Sequence, residues 1–327
     1  MDVKVLKTQQ EINGFVTNSW RPLVKDGKVI VPDGIRANAF LNQEEWERLD
    51  KAVIARARQR LNAWQDVVSA GLVSRTTLAE EFSKWRVASE RIAAEVTMDF
   101  RTQGGEDRTD KKTYGVPVPI VSAFFSIGRR ELLVARAAGS DIESFEAEEA
   151  GAAVAEKLEG MLISGETGVV VQGSDIPGYT SLAARYQGTA VGDFGTISNI
   201  YETFLAAVTI MAGRRYYGPF GVYIANTQYH EMMEYYSDGT GQTPLQRVEA
   251  MPQISFVKPN DLVTDGEFVM PQLTNGVVDI REAMPIENRR WVSPDASRVH
   301  FVVAASAVPR LKTDYAGYAG IAHYSSA

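Results

Sequence analysis

Apolar residues recur at Trp46, Leu49, Val53, Ala57, Leu61, Trp64 and Val68. Steps of three or four put them on one stripe, so the pattern predicts one helix over 41–70. Asn42 and Glu45 give a capping-box-like start, and Gly71 stands just past the end. A second stripe, Ala147, Ala150, Gly151, Val154, Leu158, Met161 and Leu162, predicts a long helix over 144–164. Its small residues, Ala150, Gly151, Ala152 and Ala153, leave room for a neighbouring backbone to come close. Ile200, Phe204, Val208 and Met211 mark a third helix over 196–212. A short helix capped by Asn226 or Thr227 is expected to reach about Tyr236, and an amphipathic helix is expected over 244–250.

Strand patterns fall between these helices. Turn pairs Asp26-Gly27 and Asp33-Gly34 bracket an apolar strand over 28–32, and the rest of 1–40 reads as an extended arm. An apolar strand is expected over 116–126, a glycine-rich connector over 165–178, and strands over 220–225 and 254–258. Asn275-Gly276 predicts a hairpin between 268–273 and 277–280. The end reads as two strands, 299–304 and 307–311. Residues 71–115 alternate in part, turn at 102–105, and carry eight acids and eight bases with few aliphatic residues. A hairpin this poor in core needs a partner, because an isolated two-stranded ribbon is marginal in water. The mixture reads as α+β, with no regular βαβ series and no internal repeat.

Composition narrows the function classes. The chain has 327 residues, no cysteine, three histidines and a formal charge of −7. Disulfides, thiolate metal sites and a Cys/His structural zinc are thereby excluded. The acidic balance argues against a dedicated nucleic-acid grip. No apolar run has the length of a membrane span, and the first residues carry no secretory pattern. The expectation is a soluble protein of intracellular origin.

No pattern identifies an active site. Gly239-Thr-Gly241-Gln-Thr-Pro244 fails the dinucleotide fingerprint, because proline stands where the third glycine belongs. Phosphate-loop, nucleophile-elbow and HExxH motifs do not occur in the sequence. Ser255 and Lys258 match SxxK, but inside a strand-like apolar run; a hydrolase using them is the reading from a different class. His230 at a helix start and His300 in a strand read as polar or packed residues. The acids of 141–149 lie around several helix faces, whereas a hard-cation cage needs converging oxygens. Trp20, Trp46, Trp64, Trp85 and Trp291 share no spacing and read as packing or interface anchors. No catalytic, cofactor-binding or metal-ligating residue is assigned, no cofactor is expected, and the chain is read as a non-enzyme.

The order of these segments resembles the Hong Kong 97-type phage capsid fold, most closely its encapsulin branch. The helix beginning Leu41-Asn-Gln-Glu-Glu-Trp-Glu-Arg-Leu-Asp50 resembles the opening encapsulin helix. The run 118–127, then Arg130-Glu131-Leu132, then Asp141-Ile-Glu-Ser-Phe-Glu146, resembles that family's strand, short helix and spine helix. The run 218–227, ending Asn226-Thr227, and Pro244-Leu245 with Arg247-Val248 also fit. The likeness spans 41–312. It implies an N-terminal arm (1–40), an N-terminal helix (41–70), an extended loop (71–116), a peripheral domain (117–190 and 277–327) and an axial domain (191–276). Loop 235–243 would then lie near the five-fold and six-fold axes.

The implied function is that of a major capsid protein of a tailed double-stranded DNA phage. Pentamers and hexamers would build an icosahedral head, located in the virion and assembled in the host cytoplasm. The shell would enclose DNA without sequence-specific binding and without a membrane. The extra 40 residues and the long charged loop depart from encapsulins and favour the phage reading over an encapsulin shell around a cargo enzyme. A separate scaffolding protein and a portal are the implied partners. No lysine and asparagine pair for covalent cross-linking is identified.

Overall fold

A computed structural model describes residues 3–6, 23–25, 28–32, 43–89, 98, 109–137, 145–190, 194, 196–234, 241–293 and 298–326. The expectations for Trp20, Asn42, the 102–105 turn, residues 141–144 and most of loop 235–243 lie outside the described residues. In chain order the elements begin with β1 (Val3–Leu6), β2 (Leu23–Lys25), β3 (Lys28–Pro32), α1 (Gln43–Arg60), α2 (Asn62–Ser69), β4 (Val73–Arg75), β5 (Phe82–Ala88) and β6 (Lys111–Pro117). Then come β7 (Val121–Gly128), α3 (Arg129–Ala137), α4 (Phe145–Ile163), β8 (Gly165–Val171), β9 (Ser174–Pro177), β10 (Tyr186–Ala190) and α5 (Ile197–Gly213). The chain finishes with β11 (Phe220–Ile224), α6 (Asn226–Glu231), α7 (Pro244–Glu249), β12 (Ile254–Pro259), β13 (Glu267–Pro271), β14 (Val278–Val292), β15 (Arg298–Leu311) and β16 (Ile321–Ser326).

The chain divides into two compact units: residues 1–60, 120–156 and 285–305, and residues 61–119, 157–284 and 306–327. In the first, β1, β3 and β2 form a small antiparallel sheet. Helix α1 buries Leu49, Val53 and Ala57, and the same unit buries Ala147, Ala150 and Val154 of α4. Gly151 makes this packing close. A Cβ there would lie 2.8 Å from the Val53 carbonyl oxygen. The small-residue stretch thus does what its composition predicts. Strand β7 pairs antiparallel with β15, Val121 opposite Ala305 through Gly128 opposite Arg298. Phe125 stacks on Phe301 with centroids 4.6 Å apart.

The second unit is built on a five-stranded mixed sheet of order β10-β16-β13-β11-β12. Outer pairs β10/β16 and β11/β12 are parallel, and the inner pairs are antiparallel. Phe204 and Met211 of α5 and Val248 of α7 pack with Phe220, Val222, Phe268 and Met270 of this sheet. Phe268 stacks on Phe204 and Tyr324, with centroids 4.6 and 5.0 Å apart. The β11-α6-α7-β12 crossover is a βαβ unit that the sequence hides, because its helices are only six residues each. This sheet takes β10 and β16 from outside 191–276.

Several local expectations are corrected. The single helix over 41–70 is broken at Leu61, whose φ of −90° and ψ of 78° leave the helical region. Its second half does end as expected. Leu72 N donates to Val67 O and Gly71 N to Val68 O, with Gly71 at φ +73°, which is a Schellman motif. The 116–126 strand is two strands, because Pro117 and Pro119 lack the N–H that a ladder needs. The 165–178 connector folds as a β8/β9 hairpin, with Gly165 and Gly173 at positive φ.

Asn275-Gly276 is a turn but makes no hairpin. Strand β13 pairs with β11 and β16, whereas β14 belongs to a separate sheet, β4-β14-β15-β7. Val277 N and Val278 N both donate to Thr274 O, and Gly276 lacks the positive φ of a two-residue hairpin turn. The two terminal strands are one, β15, and β16 follows them. Helix α6 stops at Glu231, and neither Asn226 nor Thr227 is its N-cap; they bond Asp261 and Asp265 instead.

Candidate functional site

The SxxK pair is taken apart by the strand that carries it. Ser255 falls at the register shift of β12 against β11, between the Phe220–Ile254 and Gly221–Phe256 pairs, and so is outside the regular ladder that holds Lys258. Ser255 is exposed, and Lys258 donates to Asp66 Oδ1 at 2.5 Å. His230 is exposed beside the Tyr229 ring. His323 bridges Arg185 Nε and Glu267 Oε2, each at 3.2 Å. Among the described residues no three acids or histidines converge on a metal position. Glu146 and Glu149 stay in solvent on α4.

Two buried ionic clusters escaped the sequence, and both act as ties. The carboxyl of Glu159 is 2% exposed and accepts from Ala63 N at 2.7 Å, Trp64 N at 3.0 Å and Asn260 Nδ2 at 2.8 Å. It therefore caps α2 from a different helix. The N-cap position itself, Leu61, has no capping side chain. Burial raises the Glu159 pKa, the three donors pull it back, and the net shift is upward. Nearby, the Tyr223 hydroxyl donates to Asp66 Oδ2 at 3.2 Å. Burial likewise pushes the phenols of Tyr179 and Tyr223 upward.

The second cluster lines a cavity of about 230 Å³ beside Leu72, Ser74 and Asn275. Arg310 holds Asp279 with a two-pronged guanidinium contact, Nε to Oδ1 at 2.9 Å. It also reaches Ser83 Oγ at 3.2 Å and Ser74 Oγ at 3.0 Å. Lys312 Nζ is used by Asn275 O, Asn275 Oδ1 and Asp279. Both cations are already engaged, so the cavity offers no vacant charge to an anion. The cluster fastens β4 and the root of the β5/β6 hairpin to β14 and β15.

Several large apolar side chains stand at the surface. Phe124 is 70% exposed, Ile120 64% and Trp291 46%. The structure brings together Trp291 and His300, which the sequence could only treat separately. His300 lies flat on Trp291, with centroids 5.4 Å apart at 18°. Trp291 meets Phe124 edge-on at 6.4 Å. Phe124 was not singled out from sequence; its outward parity on β7 is the signal that could have found it. The β5/β6 ribbon, paired from Phe82–Pro117 to Ala88–Lys111, buries only Ser83, Val116 and Pro117. Trp85 stacks on Tyr114 across it, with centroids 6.3 Å apart.

Residues 36–324 match the model of a family described as a family of unknown function (DUF6260). The chain belongs to that family. No curated protein matches its sequence. Solved structures supply the fold. A virus-like particle from Pyrococcus furiosus aligns with a TM-score of 0.62 at 14% identity, covering 86% of this chain and 99% of that one. The capsid of Myoviridae phage XM1 aligns at 0.59 and 12% identity, over 80% and 91%. The capsid of a native GTA particle aligns at 0.58 and 14% identity, over 80% and 90%. The fold of this DUF6260 chain is the Hong Kong 97-type α+β capsid fold.

Proposed function

We propose that this chain is a shell-forming subunit, the major capsid protein of a tailed double-stranded DNA phage. The observation that carries the reading is the fold, shared over 80–86% of the chain with subunits of closed particles. A hairpin with almost no core and a surface bearing exposed rings agree with a chain that finishes its burial against copies of itself. In this reading 1–40 is the arm, 41–70 the N-terminal helix and 71–116 the extended loop. Residues 117–190 and 277–327 are peripheral and 191–276 axial, with β10 and β16 completing the axial sheet. The subunits form pentamers and hexamers of an icosahedral head around DNA, built in the host cytoplasm with a separate scaffolding protein and a portal. The role is structural, not enzymatic.

The runner-up is an encapsulin-type container for a cargo enzyme. It is favoured by the 99% coverage of the Pyrococcus furiosus particle subunit. Particle size and contents separate the readings. A compact monomer of this length has a radius of gyration of about 20 Å. Closed shells holding nuclease-protected DNA support the phage reading, and shells holding a protein support the container. Small species that persist with scaffold and portal co-expressed overturn both.

A further inference from the structure

The sheet β4-β14-β15-β7 ends on β7, and among the described residues no strand pairs with its outer edge. The eight residues Val-Ser-Ala-Phe-Phe-Ser-Ile-Gly carry no charge and no proline. Their register with β15 runs unbroken, so no bulge twists the edge away. Each of these is a usual protection of a free edge, and all are missing. The same edge carries Phe124, with Ile120 exposed just before it and Trp291 against its ring.

We propose that β7 pairs antiparallel with β7 of a second copy about a two-fold axis, joining two four-stranded sheets into one of eight. Three features select this occupant. A neutral edge offers a polyanion nothing to hold, whereas it can lie beside itself with no like charges opposed. Arg129 and Arg130 follow β7 and are exposed. Parallel pairing would set four guanidinium groups together, and antiparallel pairing parts them by more than the length of the strand, about 25 Å. Side-chain parity then limits the register. A continuous sheet needs residues of one face opposite residues of the same face, so partner numbers must sum to an even value. An axis at Phe124 sets the two exposed rings against each other and Ser122 opposite Ser126. An axis at Phe125 sets Phe124 opposite Ser126 and leaves the ring wet. The Phe124 axis is the one that covers the apolar surface, and the contact is self-complementary as a two-fold interface requires.

The absence of cysteine makes the test unambiguous. Opposed residues on paired strands have Cβ atoms about 4.5–5.5 Å apart, within a small adjustment of disulfide geometry. Under mild oxidation Phe124→Cys is expected to give at least ten times more covalent dimer than Val170→Cys, a comparably exposed position on β8. Ser122→Cys alone stays monomeric, and Ser122→Cys with Ser126→Cys cross-links between copies. Phe124→Lys, which sets two ammonium groups on the axis, abolishes the pairing. Phe124→Cys dimer no greater than the Val170→Cys control overturns the proposal, as does Ser122→Cys cross-linking as well as the pair. The two readings fail separately. Shells without the Phe124→Cys disulfide remove the edge pairing and leave the shell, and a disulfide dimer that never grows into shells does the reverse.

Discussion

Two glycines on α4 should respond to the same substitution with opposite signs. In an ordinary helix, alanine is favoured over glycine by about 0.5–1 kcal/mol, because glycine loses more backbone freedom on folding. Apart from its chain neighbours and the backbone of its own helix, Gly160 has no atom within 4 Å of the position a Cβ would take. Gly160→Ala should therefore stabilise the chain by about that amount. At Gly151 the added carbon would lie 2.8 Å from Val53 O, 3.1 Å from Val53 Cγ1 and 3.2 Å from Val53 Cα. Two of these are backbone atoms of α1, which cannot swing aside. Overpacking of this kind costs about 1–3 kcal/mol, and its mid-range outweighs the propensity gain, leaving Gly151→Ala destabilised by roughly 1 kcal/mol. Amide hydrogen exchange with peptide resolution reads both effects at one protein concentration, which matters because assembly adds to apparent stability. Gly151→Ala should speed exchange in peptides from both α1 and α4, and Gly160→Ala should slow it in α4. Equal signs at the two positions would refute the packing argument.

Glu159→Ala leaves three buried donors without an acceptor and should cost about 2–4 kcal/mol in urea unfolding, with α2 fraying first. Because burial raises the Glu159 pKa, the folded chain binds that proton more tightly than the unfolded one. Its contribution is complete below the ordinary carboxylate pKa of 4.5 and is lost as pH rises through the raised value. The stability of the parent relative to Glu159→Gln should therefore shrink with rising pH, and a difference that grows would sink the assignment. Arg310→Lys keeps the charge but not the fork, losing the Ser74 and Ser83 contacts; thermal unfolding should show a loss of about 1–3 kcal/mol. Arg310→Ala leaves Asp279 to Lys312 alone and should cost about 3–5 kcal/mol.

The helices that were legible from sequence are those with a long period. Every member of the α4 stripe, Ala147 through Leu162, is buried. Residues 28–32 and 254–258 were legible because turn pairs or polar residues bound a short apolar run. What failed was long-range. Nothing near Leu61 announces a helix break, because the group that makes the break tolerable is the Glu159 carboxylate, supplied from α4. Asn275-Gly276 carried a sound local signal, but the strands on either side pair into different sheets. Strand β10 and strand β16 have few aliphatic residues and owe their existence to each other and to β13.

The surface was less legible than the fold, for a physical reason. Catalytic sites concentrate unusual residue types in recognisable motifs, which a sequence can be searched for. An association surface is made of ordinary residues placed outward, and placement is tertiary. Phe124, Trp291 and His300 come from three strands and meet only when β7, β14 and β15 share a sheet. The hairpin shows the same logic. Its poverty in core was visible as eight acids, eight bases and few aliphatic residues. What gives so weak a ribbon a fixed root was not visible. Arg310 on β15 reaches Ser83 on β5 while gripping Asp279 on β14, so one buried guanidinium sets the direction in which the ribbon leaves the sheet. If the ribbon lies on a neighbouring subunit, loosening Arg310 should impair assembly before it unfolds the chain, because a mobile root spreads the ribbon over many directions that no neighbour can meet.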